Sequence, residues 1–156
     1  MPWEFSLLVV ANVTAGSDEL RDALRERAEQ GACRFTLVMP ASGAAARERL
    51  AEALAGMREA GLDNVEGKVG DPDPVVAVMD VWDPMKFDEI IVSTLPTGSS
   101  RWMGLDLPHR LEKLTSVPVQ HVVSKPPQPE APIGPPPEHP QKMGVLAALS
   151  ALVTRR

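Results

Sequence analysis

At 156 residues the chain is long enough for one domain with a full hydrophobic core. With a net charge of −5 and only 4% aromatic residues, it lacks both the basic patch and the stacking rings that nucleic-acid binding needs. A single cysteine, Cys33, rules out an internal disulfide and a Cys-rich metal centre.

The stretch Met1-Pro2-Trp3-Glu4-Phe5 carries no basic segment ahead of an apolar h-region, and no run approaches the ~20 apolar residues of a membrane span. A cytoplasmic protein is expected. Phe5 to Val13 is rich in Val and Leu and predicts a buried strand. Ser17 reads as an N-cap, with Asp18 and Glu19 suited to the positive helix end. Leu20, Ala23, Leu24 and Ala28 then share one helical face, and Gly31 stops the helix. Cys33 to Met39 predicts a second buried strand, which makes Cys33 a buried thiol. Ser42 is the expected cap of a second helix with Ala46, Leu50, Ala53, Leu54 and Met57 inward, ending at Gly61.

Asn64 to Val69 predicts a short third strand. Asp71 is then the expected cap of a helix with Pro72 in its first position, and Val75, Val78, Met79 and Trp82 form its apolar stripe. Glu89 to Thr94 predicts a fourth strand, Asp106 to Leu114 a helix, and Val117 to Val123 a fifth strand. In that last strand Gln120 and His121 suit an edge position. Strands alternating with helices of this length imply an α/β fold, a five-stranded doubly wound parallel sheet. Ligands of such sheets bind at the carboxyl ends of the strands.

The composition changes after residue 124. "KPPQPEAPIGPPPEHPQK" holds half of the 16 prolines, so residues 125–142 read as a semi-rigid Pro-rich linker. Residues 143–156, "MGVLAALSALVTRR", place Leu146, Leu149, Leu152 and Val153 on one face of a short apolar helix that needs a docking surface. Two arginines and little polar face argue against a membrane anchor.

The element order, with three stretches, resembles the universal stress protein family. "LLVVAN" (7–12) stands where the family's first strand ends in an aspartate. "VEGKVGDPDPVVAVMDVWDPMKFDEIIVST" (65–94) resembles the third strand, the Gly-Asp-Pro helix start and the fourth strand. "HRLEKLTSVPVQHVV" (109–123) resembles the last helix and strand. The resemblance covers residues 4 to 124. It implies a Rossmann-like domain over 1–124, a role in stress response, a homodimer paired through Val117–Val123 and, in the nucleotide-binding branch, ATP held by a G-x2-G-x9-G-(S/T) loop. Glycines in such a loop let backbone approach phosphate, and its last residue sits at a helix N-terminus that attracts anions.

This chain departs from that pattern. The expected Gly-(Ser/Thr) falls on Leu105-Asp106, Gly98 and Gly104 fit no part of it, and Asn12 replaces the aspartate. A carboxylate at Asp106 is expected to cap the helix N–H groups that would meet phosphate. Thr97, Gly98, Ser99, Ser100 and Arg101 could still form an anion nest. Asn12, Val13 and Thr14, with Gly70 on the third strand, are the remaining ligand-binding candidates. His109, His121 and His139 have no metal-ligand spacing, and no nucleophile elbow is present, so no catalytic or metal-binding residue is assigned. The first expectation is a non-enzymatic, dimeric protein acting through protein contacts, with ATP binding impaired or lost. The alternative is a nucleotide or anion sensor using the Thr97–Arg101 loop.

Overall fold

A computed structural model describes residues 3–96, 101–104 and 106–125. Its elements are β1 (Phe5–Val10), α1 (Asp18–Glu29), β2 (Cys33–Pro40), α2 (Ala44–Glu59), β3 (Val65–Gly70), α3 (Pro74–Val81), β4 (Glu89–Thr94), the single turn α4 (Arg101–Gly104), α5 (Leu107–Thr115) and β5 (Val119–Val123). All pairings are parallel, in the order β3-β2-β1-β4-β5. The chain winds outward from β1 through β2 to β3, then returns to β4 on the other side of β1. The switch point of this doubly wound α/β sheet lies between β1 and β4, the predicted architecture.

Alternation along β1 divides the core. Leu7 and Val9 face α1 and α2, where they pack with Leu20, Leu24, Phe35, Leu37 and Met57. Leu8 and Val10 face α3 and α5, with Ala77, Val78, Ile90, Leu107 and Leu111. A central strand apolar on both sides cannot alternate with polar residues, which is why Leu7 to Val10 reads as a continuous run. In register, Leu7 to Val10 lie beside Phe35 to Val38 and beside Glu89 to Val92. The apolar letters from Ala11 to Val13 lie past that register, and Val13 is exposed.

Ser17 caps α1 as predicted, its Oγ accepting from Leu20 N–H at 3.1 Å. Ala28 is exposed, and Arg27 takes the inward place near the helix end. The Arg27 guanidinium meets the Glu89 carboxylate at 2.6 Å and lies 4.7 Å over the Phe5 ring. The hydrogen bond to Glu89 holds that guanidinium above its usual pKa. Cys33 is buried, and its desolvation pushes the thiol up.

Two predicted caps move. Gly43, at φ +92°, precedes α2 in place of Ser42, and this cap has no side-chain hydrogen bond. Asp73, not Asp71, caps α3, accepting from Val75 and Val76 N–H, with Pro74 at its first position. Asp71 instead accepts from Asp73 N–H and shapes the turn before it. On α3, Val78 is buried and Val75 and Trp82 pack against the core as predicted, but Met79 is exposed and Ala77 takes the inward place. Strand β5 lies at the sheet edge, with Gln120 and Val123 outward.

Candidate ligand cleft

At the carboxyl ends of β1, β2 and β4 the structure opens into a cleft of about 650 Å³. Pockets of this size suit a small ligand. Asn12, Val13 and Thr14 line it, as predicted from their place at the end of the first strand. Arg101 also lines it, while Thr97, Gly98, Ser99 and Ser100 lie outside the described residues. Gly70 is not among the lining residues. A Cβ there would stand 2.9 Å from the Ala77 Cβ and 3.3 Å from Val38 Cγ1, so glycine serves the close approach of α3 to the sheet.

Several residues that pattern reading left out complete the cleft. Ser93 and Thr94, at the end of β4, are buried polar residues in an otherwise apolar strand. That interruption of "EIIV" by "ST" is a readable signal, because a strand buried on both faces tolerates hydroxyls only where they find partners. Arg49 reaches the cleft from α2 and donates from Nη2 to Asn12 Oδ1 at 2.9 Å. Nothing local distinguishes it from Arg47, two residues earlier on the exposed side of the same helix. Trp102 lines the cleft and also packs against the α3–α5 core.

Two floor hydroxyls, Thr14 and Ser93, begin a row that continues behind the cleft. Thr14 Oγ1 and Ser93 Oγ are 2.6 Å apart, Ser93 and Ser124 Oγ 3.2 Å, and Ser124 and Ser17 Oγ 2.8 Å. Thr14, Ser93 and Ser124 are at most 1% exposed. Beside the row, Thr94 donates its proton to the Leu95 carbonyl at 2.8 Å and therefore accepts from His121 Nε2 at 2.7 Å. This fixes the proton of the neutral imidazole on Nε2.

Burial holds His121 below its ordinary pKa of 6.5. The unfolded chain then takes up a proton before the folded one does, so the His121-linked part of the stability falls as pH drops through 6.5 and is flat above it. His121→Gln, whose amide can still donate to Thr94, should remove that His-linked loss. Urea midpoints of both proteins at pH above and below 6.5 check this.

The charge at the rim favours an anion. Two guanidiniums, Arg49 and Arg101, face the opening, and the carboxylate of Asp73 is turned to the α3 backbone. The expected obstruction by Asp106 is corrected. Asp106 adopts a left-handed conformation, φ 51° and ψ 48°, and makes no side-chain hydrogen bond to the helix start. Its carboxylate meets His109 Nδ1 at 3.2 Å instead. Asp tolerates this backbone region better than most residues do. Among the described residues no cluster of three or more His, Cys, Asp or Glu could hold a metal, and no helix is long and apolar enough to cross a membrane.

No family model and no curated protein matches the chain. Solved structures do. A universal stress protein in complex with cAMP matches at 19% identity with a TM-score of 0.61, covering 80% of this chain and 100% of that one. Protein Rv1636 from Mycobacterium tuberculosis H37Rv matches at 23% identity over 74% of this chain and 91% of that one, with a TM-score of 0.45. Strand order, switch point and the match across the whole length of the first of these agree: this chain has the universal stress protein fold.

Proposed function

We propose that the chain is a non-enzymatic binding protein of the universal stress type whose cleft takes a nucleotide with a single phosphate. The observation that carries this reading is one cleft at the switch point that combines two rim guanidiniums with a floor of buried hydroxyls. Guanidiniums supply strong donors to phosphate oxygens, and hydroxyls suit ribose or phosphate oxygens. The cAMP held by the solved universal stress protein is a ligand of this chemical class. Leu105 stands where the family's phosphate loop has the glycine that lets backbone approach phosphate, which argues against a triphosphate. ATP binding is therefore weakened or lost on this reading, and no cofactor is required.

Calorimetric titration of the full chain with AMP, cAMP and ATP with magnesium tests this. AMP or cAMP should bind about 10-fold more tightly than ATP, one charge-assisted hydrogen bond's worth of preference. No heat with any of the three at millimolar concentration would end the nucleotide reading.

A second reading, action through protein contacts, is favoured by the edge of β5, which pairs on one side only among the described residues and where Val123 is 48% exposed. An unpaired strand edge invites another strand. On this reading two copies pair through Val117–Val123, and the apolar segment 143–156 docks on the domain or its partner with residues 125–142 setting the reach. Of these two tail segments only Lys125 lies within the described residues.

A further inference from the structure

The hydroxyl row that begins on the cleft floor has a property beyond its polarity. It joins four hydroxyls, Thr14, Ser93, Ser124 and Ser17, through three links. Each hydroxyl carries one proton, so three protons fill the links and a fourth must emerge at one end or leave a link broken. At the Ser17 end the oxygen already accepts the Leu20 N–H. At the other end Thr14, 1% exposed, has no side-chain partner but Ser93 among the described residues, and it lines the cleft. A ligand that only accepts hydrogen bonds draws the fourth proton to Thr14. All four O–H dipoles then point from Ser17 to the cleft, and each bond polarises the next.

We propose that the Thr14 hydroxyl, backed in line by Ser93, Ser124 and Ser17, is the floor donor for an anionic oxygen of the ligand. It selects phosphorylated nucleosides over neutral ones. This rests on the nucleotide reading above. It places an anion donor in the turn after β1, backed by Ser93 on β4, and the rim loop is not needed for it. Thr14 and Ser93 are specificity determinants because they line the cleft, whereas Ser124 and Ser17 are positioning residues that do not.

The test is calorimetric titration of the full chain with AMP and with adenosine. Thr14→Val keeps the shape and removes the donor. It should weaken AMP about 10-fold or more, as loss of a hydrogen bond to a charged group does, and change adenosine less than about 3-fold. Thr14→Ser should restore AMP binding to within about 3-fold of the parent, since the donor is retained. Ser124→Ala, remote from the ligand, should weaken AMP by about 3-fold or more with adenosine unchanged. Equal AMP affinity in the parent and Thr14→Val, or equal losses for both ligands, would overturn the proposal. An unchanged AMP affinity in a folded Ser124→Ala would overturn the relay. Should that variant fail to fold, the Thr14→Val and Thr14→Ser pair decides. A parent chain that binds neither AMP nor adenosine would instead show that the nucleotide reading itself has failed.

Discussion

Replacing Arg49 and Arg101 together by alanine should weaken AMP binding about 100-fold or more while shifting the melting temperature by no more than about 2 °C. Both side chains lie at the cleft rim and are exposed, so neither holds up the core. Each guanidinium can offer phosphate a charge-assisted hydrogen bond, typically worth about 1.5–3 kcal/mol, and two such losses exceed the roughly 2.7 kcal/mol of a hundredfold change. Loss of Arg49 also frees Asn12 Oδ1 from its 2.9 Å partner, but that contact is exposed and water replaces it. Because the attraction is between charges near solvent, affinity in the parent chain should also fall as salt is raised. Calorimetry of parent and double variant at two ionic strengths reads both effects. An affinity within threefold of the parent, roughly 0.65 kcal/mol, would remove the rim arginines from the site.

Gly70→Val should destabilise the fold by about 1–3 kcal/mol, the usual cost of forcing extra carbon into a packed interface. The first added carbon already stands 2.9 Å from the Ala77 Cβ and 3.3 Å from Val38 Cγ1, before the two valine methyls are counted. Neither neighbour is the loose end of a long side chain. The domain must therefore push α3 off β2 and β3, and Ala77 and Val78 lose contact with Val38. Chemical denaturation measures the loss. Nucleotide affinity of the folded fraction should stay within about 3-fold, because Gly70 supports the sheet beneath α3 and does not line the cleft. A stable variant that no longer binds would return Gly70 to the ligand site.

The strands were legible because buried parallel strands leave plain runs of Val, Leu and Ile. Glu89–Thr94 has the predicted bounds, β2 runs one residue further and β3 is shifted by one residue. Caps were harder where local rules allowed two answers. "DPDP" holds two Asp-Pro pairs, and either satisfies the cap-then-proline rule. The second pair prevails in a structure where Ala77 lies over Gly70, a contact between residues seven positions apart that no cap rule contains. Asp106 failed for a related reason. The sequence permits a side-chain cap, but its backbone turns left-handed between α4 and α5, which carries the carboxylate to His109.

The cleft was half legible. Asn12, Val13 and Thr14 followed from the rule that ligands lie past the carboxyl ends of strands. Ser93 and Thr94 obey the same rule and are marked by hydroxyls closing an apolar run. The contact of Ser93 with Ser124 spans 31 positions and that of Ser17 with Ser124 spans 107, so the hydroxyl row exists only once the sheet has formed. Arg49 meets Asn12 across 37 positions, a contact that periodicity does not encode.

Amide-resolved NMR titration of the full chain with AMP reports where a ligand sits as well as whether it binds. A nucleotide in the switch-point cleft should give saturable shifts concentrated at Asn12, Thr14, Arg49, Ser93, Thr94 and Trp102, with the amino ends of the strands unmoved. Shifts confined to β5, or none at millimolar AMP, would contradict it.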